Sequence, residues 1–142
     1  MPDLKQNSNI KPSSEAAVYL RNVKLTLSSG AGEVKILRGI SLNIENGEAV
    51  GIVGPSGGGK STMMMVVAGI ERVSSGIVRT AGIDLTALNE DELARFRGDN
   101  IGIVFQDYHL IPTMTAHENV AVPLEFSGNI NASDLAREQL NA

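Results

Sequence analysis

Cysteine is absent from the 142-residue chain. Disulfides and thiolate chemistry are therefore excluded, and a reducing compartment is compatible with the sequence. A basic excess is missing too: 12 Lys and Arg stand against 16 Asp and Glu, a net charge of −4. Nucleic-acid binding rests on clustered positive charge, so no nucleic-acid partner is expected. Long apolar runs are lacking. The longest apolar-plus-glycine run is "MMMVVAGI", eight residues from Met63, far short of the ~18 that span a bilayer. The N-terminal "MPDLKQNSNIKPSSEAA" is polar and has no h-region, so no secretory signal is expected and the chain is placed in the cytosol. What remains is ordinary for a globular protein. Hydrophobic residues make up 42% and charged residues 20%, which allows a packed core and argues against global disorder. The length suits one domain. There is no internal repeat or low-complexity tract.

Residues 1–15 read as a flexible arm with almost nothing to bury. "VYLRNVKLTL" from Val18 alternates as a strand. "SSGAGE" is a turn, and "VKILRGISLNI" a second strand closed by a hairpin-type turn at Asn46-Gly47. "AVGIV", Ala49 to Val53, and "IGIVF", Ile101 to Phe105, have the continuous apolar texture of strands covered on both faces. A helix is predicted from about Lys60 to Ala68. "SGIVRTAGIDL" reads as a short strand with turns at both ends. "NEDELARFRG" carries Asn89 as N-cap, Glu92 for a capping box and Gly98 as stop. "TAHENV" repeats the box with Thr115 and Glu118. A last helix starts near Ser133. Apolar strands alternating with capped helices give an α/β class, with antiparallel strands at the N-terminal side.

The chemistry sits in Gly54-Pro55-Ser56-Gly57-Gly58-Gly59-Lys60-Ser61, which fits G-x-x-x-x-G-K-[ST]. Backbone N–H groups must point inward at phosphate oxygens, so the loop must curl tightly, which glycine permits. The following helix offers free N–H groups and the positive end of its dipole. Lys60 brings a full charge to the β/γ-phosphates, and Ser61 a hydroxyl to Mg²⁺. Four fixed positions match by chance in roughly one in a few hundred chains of this length. A buried-type strand before the loop and a helix after it raise the specificity. A glycine-rich linker before a core helix would leave Lys60 at the mouth of an apolar run unexplained. The methionines at 63–65 are expected to pack on the sheet, not to form a promiscuous binding face.

Several phosphate-loop classes are open at this point. Asp99-Asn100-Ile101-Gly102 matches DxxG literally, but Asp99 precedes a predicted strand and no NKxD occurs, which disfavours a GTPase. A small kinase could use Asp107 as its metal-binding aspartate. Gln106, directly after the apolar segment, could instead reach both the metal and an attacking water.

"GEVKILRGISLNI", "IVGPSGGGKST" and "SSGIVRTAGIDLTALNEDELARFRGDNIGIVFQDYHLIPTMTAHENVAVPLE" together resemble the nucleotide-binding domain of an ABC transporter, from about Val18 to Glu125. The run "LARFRG…IGIVFQ…" resembles the subgroup serving lipoprotein release, macrolide export and related permeases. The resemblance implies a P-loop NTPase core with N-terminal antiparallel strands and the start of a helical subdomain. It implies ATP and Mg²⁺ held by Gly54, Pro55, Ser56, Gly57, Gly58, Gly59, Lys60, Ser61 and Thr62. Lys60 and Gln106 would be catalytic, and Ser61 and Gln106 would face the metal. A membrane permease would dock on the region after Gln106, two such domains would dimerise, and the protein would lie on the cytoplasmic face of the membrane.

The sequence also departs from that pattern. Gly58 stands where the family has serine or another small residue, at an ordering cost of roughly 0.5–1 kcal/mol. Leu27 stands near where an aromatic normally stacks on adenine, so the stacking contribution is lost. Tyr19 comes too early for that role. The signature sequence, the Walker B strand and the switch histidine do not occur after Gln106. His109 and His117 lie too early to be the switch, and His117 is expected to face solvent. Residues 16–142 are thus expected to be a partial ATP-binding domain, the N-terminal piece of a longer ATPase, with near-zero turnover by itself. A non-catalytic nucleotide-binding module is the alternative from another class.

Overall fold

The computed structural model describes residues 16–30 and 32–142. The arm expected at residues 1–15 lies outside the described residues. The chain divides into two compact units, Met1–Ile101 and Gly102–Ala142.

The first unit is built on a four-stranded antiparallel sheet ordered β2-β1-β3-β4. Its strands are β1 (Ala16–Ser29), β2 (Gly32–Glu45), β3 (Ser75–Thr80) and β4 (Ile83–Asp84). The two long strands form one hairpin, from Ser29 opposite Gly32 back to Ala16 opposite Glu45. Helices α1 (Lys60–Val67) and α2 (Glu90–Asn100) belong to this unit. Leu20, Val23 and Leu25 of β1 join Leu37, Met63, Val66, Val78, Leu85, Leu93 and Phe96 in one core. Thr80 Oγ1 donates to the Val67 carbonyl (2.8 Å), tying the end of β3 to the end of α1. Gly69, at φ 70°, ends α1 in a Schellman pattern: Ile70 N–H donates to Met65 O (2.9 Å) and Gly69 N–H to Val66 O (3.1 Å).

The predicted strand of 18–27 is present but interrupted. Asn22 sits at φ 49°, and the pairing of β1 slips against both neighbours there. The buried positions shift accordingly, from Val18 and Leu20 to Val23 and Leu25. This is a bulge: one extra residue restores the inward face after the slip. Two glycines accommodate it. A Cβ on Gly39 would lie 2.9 Å from Asn22 Oδ1, and one on Gly76 2.6 Å from Asn22 O and 2.7 Å from Val23 Cα.

Four expectations change. Ala49–Val53 and Ile101–Phe105 do not join the sheet, and Val53 (92%) and Val104 (84%) are exposed. Apolar texture favours burial but supplies no ladder partner, and neither segment takes up strand pairing. The turn at Asn46-Gly47 forms, with Gly47 at φ 82°, but no strand returns from it. Gly98 does not stop α2, which runs to Asn100; an exposed glycine in a last turn costs only about 1 kcal/mol. Of the methionine run, Met63 is buried while Met64 and Met65 are exposed.

The second unit is a pair of packed helices, α3 (Ala116–Phe126) and α4 (Ala132–Leu140), with Ala121, Ala132 and Ala136 buried. Small residues let the two backbones approach. Both predicted capping boxes are formed: Asn89 with Glu92 on α2, and Thr115 with Glu118 on α3.

The bulge makes a specific stability prediction. Gly76→Ala places a Cβ within 2.8 Å of three backbone atoms of β1, from Arg21 to Val23, at φ 104°, so it should cost about 3 kcal/mol or more. Gly82→Ala, at φ 77° in open space, should cost only roughly 1–2 kcal/mol. Urea denaturation of both variants checks the ranking; equal midpoints would refute the bulge-packing account.

Candidate phosphate-binding site

Helix α1 starts where Gly59 ends the glycine loop. Gly59 takes φ 82° and acts as N-cap without any side-chain capping bond. A Cβ there would come within 3.2 Å of the Ile36 carbonyl and of Leu37 Cδ2 on β2. The glycine therefore lets the helix begin directly against the sheet. Buried Met63 and Val66 hold the helix in that position.

The two boxed helices use their first turns internally. Asn89 and Thr115 accept from the N–H groups of Glu92 and Glu118, and each glutamate returns a bond to its cap. Helix α1 differs: it has no capping side chain and no acidic residue in its first turn. The N–H groups of Lys60, Ser61 and Thr62 thus have no intrahelical acceptor, whereas Met63 N–H already donates to Gly59 O (2.8 Å). A helix start left open in this way, behind a glycine loop, fits an anion.

The loop itself is a tight turn. Gly58 N–H donates to Pro55 O (3.1 Å), so this amide is engaged within the loop and does not point at a phosphate. Gly57 takes φ 75° with open space around its Cα. Gly58 is not left-handed, but a Cβ would meet Pro55 O at 3.0 Å. A serine here would therefore have to push the turn open slightly, which gives the glycine a packing reason. Lys60 folds back over the loop and donates from Nζ to Gly54 O (3.0 Å) and Pro55 O (2.8 Å). An ammonium has three donors, so one remains for a ligand. Pro55, Ser56 and Ser61 are exposed, and Thr62 is half-buried. Gly54–Thr62 thus form one continuous cradle in the first unit.

Gln106 and Asp107 belong to the second unit and are exposed. They open a compact turn in which Tyr108 N–H donates to Phe105 O (3.2 Å) and His109 N–H to Asp107 O (2.6 Å). Tyr108 and His109 both take positive φ, 54° and 51°. The His109 ring meets Phe105 edge-on, with centroids 4.9 Å apart. His117 does not simply face solvent. It is half-buried, and its Nε2 lies 2.9 Å from the Ser133 carbonyl, linking α3 to α4. Leu27 is exposed near the hairpin end and pairs with exposed Val34, an apolar pair where an aromatic was looked for.

Sequence reasoning missed Asn119. Its side chain accepts from Ile111 N–H (2.7 Å) and donates towards Ile111 O, Met114 O and Thr115 O (3.2, 3.1 and 3.0 Å). The available signal was an asparagine one turn inside a helix, where it is a poor helix former.

The stretch from residue 37 to 142 matches the family model described as ABC transporter. The chain belongs to the ABC transporter family. It is 42% identical over 120 residues to the macrolide export ATP-binding/permease protein MacB of Shigella flexneri, covering 84% of this chain and 18% of that protein. It is 48% identical over 117 residues to the MacB protein of Marinobacter nauticus, covering 81% and 18%. The chain therefore spans about a fifth of the length of these curated relatives. Among solved structures, the dimeric post-hydrolysis ATP-binding cassette MJ0796 bound to ADP and Pi superposes with a TM-score of 0.79 at 40% identity, covering 87% of this chain and 56% of that one. A second dimeric MJ0796 structure, described as a bacterial ABC transporter cassette, gives 0.72 at 43% identity, over 77% and 47%. The expected fold class stands, and so does the reading as an ABC transporter ATP-binding domain, over a small kinase or a separate nucleotide-binding module.

Hydrogen bonds from the backbone N–H and hydroxyl of Thr115 hold the Glu118 carboxyl below its ordinary value of 4.5. A depressed carboxylate stabilises the fold above its unfolded pKa and loses that contribution as pH falls through the lower, folded value. The protection factors of amides at the start of α3, exchange measured against the intrinsic rate at each pH, should therefore hold steady from neutral pH down to about pH 5 and fall below 4.5. Glu118→Gln should remove that acid dependence; an unaltered profile would refute it.

Proposed function

We propose that Gly54–Thr62 bind the phosphates of ATP and that, in its full-length protein, this chain couples ATP hydrolysis to the work of a membrane permease. The observation that carries this is the uncapped start of α1 behind a glycine loop, with Lys60 Nζ already inside the loop. The MJ0796 cassette, described as bound to ADP and Pi, supports the same ligand class.

In this reading Gly54, Pro55, Ser56, Gly57, Gly58 and Gly59 shape the cradle, and the free amides of Lys60, Ser61 and Thr62 meet phosphate oxygens. Gly58 contributes through its turn. Lys60 turns its remaining N–H to a phosphate oxygen and neutralises charge that develops on transfer. The Ser61 hydroxyl, with the phosphate oxygens of the nucleotide, would hold Mg²⁺, which would supply positive charge to offset that of the phosphates. No cluster of three or more His, Asp or Glu side chains suited to a metal occurs among the described residues, and a magnesium that arrives with its nucleotide requires none. Gln106 orients the attacking water. The exposed turn and apolar residues after Gln106 face the permease. Two such domains pair, as in the dimeric cassette. Residues 16–142 supply the first part of the ATP-binding domain. No described helix is long and apolar enough to cross a membrane, and we place this part on the cytoplasmic face.

The test uses the full-length protein in lipid nanodiscs. Lys60→Ala should weaken Mg²⁺–ATP binding by about tenfold or more and abolish turnover. Gln106→Ala should leave KM for ATP within about twofold and lower kcat by about tenfold or more. Asp107→Ala should retain Mg²⁺–ATP binding. Loss of that binding in Asp107→Ala but not in Gln106→Ala would sink the assignment of Gln106.

A further inference from the structure

The chain between Gln106 and α3 consists of two tight turns joined by one residue. The first runs from Phe105 to His109 and is closed by its backbone bonds and the Phe105–His109 ring contact. The second runs from Ile111 to Met114, whose N–H donates to Ile111 O (3.1 Å). Only Leu110 lies between them. The first turn is strained by two consecutive non-glycine residues at positive φ, a conformation that persists only where its surroundings enforce it. The second turn is fastened from outside, by the side chain of Asn119.

Asn119 holds that turn and the residue after it with both polar atoms of its side chain. Oδ1 accepts from Ile111 N–H, while the amide nitrogen offers two protons to three carbonyls, those of Ile111, Met114 and Thr115. The orientation of the amide is thereby fixed, since reversing it would set an oxygen against three carbonyl oxygens. Asn119 also stands in the helix, its backbone N–H donating to Thr115 O (3.0 Å). It therefore makes Ile111–Thr115 and the start of α3 one piece, and the chain joins that piece to the strained turn of Gln106 through Leu110.

We propose that Asn119 is a positioning residue for Gln106: its clamp on Ile111–Thr115 fixes where the Gln106 turn is presented. This rests on the role given to Gln106 above. Asn119 itself touches neither nucleotide nor metal in this account. Its loss acts on the hydrolytic step and leaves ATP binding by the loop at Gly54–Thr62 alone.

The variant of choice is Asn119→Ala in the full-length protein. Alanine is the better helix former, so α3 keeps its local preference while the clamp is deleted. Hydrogen exchange of residues 110–115 should rise about tenfold while residues 117–126 stay protected. ATP turnover should show kcat lowered about threefold or more with KM within about twofold. Adding Asn119→Ala to Gln106→Ala should change kcat by less than about 1.5-fold, because the residue acts through Gln106. Asn119→Asp keeps the shape and removes the donor, and should match Asn119→Ala. Thr115→Ala removes the cap of α3 but not the clamp, and should leave kcat within about twofold. The proposal is overturned by unchanged exchange at 110–115, by equal loss from Asn119→Ala in both backgrounds, or by the same kcat loss in Thr115→Ala. A wild-type protein that shows no ATP turnover overturns the reading of Gln106 and the kinetic half of the proposal, and exchange alone then decides whether Asn119 clamps the turn.

Discussion

Helix α1 begins against the backbone of β2, and a glycine at residue 59 lets it do so without strain. At φ 82° a side chain is disfavoured, and a Cβ would press to 3.2 Å from the Ile36 carbonyl and from Leu37, so those neighbours would have to give. Everything proposed for the glycine loop depends on this contact. It sets where the first helical amides lie, and the burial of Met63 and Val66 keeps them there. The loop is then short enough for Lys60 to reach back to Gly54 and Pro55. The antiparallel hairpin is thus the floor of the cradle, and its own regularity matters. The bulge at Asn22, fitted between Gly39 and Gly76, keeps apolar residues of β1 facing inward on both sides of the slip.

The helix starts divide according to what they are for. An acidic first turn with a capping box satisfies the free amides locally, and it repels an incoming anion. Helix α2 carries Glu90, Asp91 and Glu92 in its first turn, and α3 carries Glu118. Helix α1 carries none. The cost of leaving those amides open is small while water can reach them, and it is recovered when an anion arrives. The contrast lies within one chain, so it does not depend on composition or on net charge, which is negative overall.

Features fixed by neighbours in sequence were legible. Both capping boxes, the glycine loop and helix α1 follow from residues within a few positions of one another. The bulge was not anticipated, although the sequence carries a sign of it. The apolar alternation of β1 changes phase between Leu20 and Val23, with an asparagine, a residue that tolerates positive φ, between them. The segments at 49–53 and 101–105 were misread because texture was taken for pairing. Strand formation needs a neighbour that the segment itself does not encode. The family resemblance was legible because dense motifs carry it. The position of Leu27 beside Val34, and the link from His117 to Ser133, depend on tertiary contacts that no local pattern announces.

Asn119 shows why some functional geometry is hidden from sequence. Asparagine inside a helix is a weak former, and local propensity alone would replace it. Its four side-chain contacts reach Ile111, Met114 and Thr115, residues four to eight positions back and outside the helix. Its helix-propensity cost is set against the hydrogen bonds it makes to the segment before the helix. Pro123 sharpens the point. It removes the N–H that would have bonded the Asn119 carbonyl one turn earlier. Helix α3 is therefore weakened on the C-terminal side of Asn119, and the side-chain clamp on its N-terminal side carries more of the local order. The turn bearing Gln106 is tied to that clamped end, through Leu110 alone.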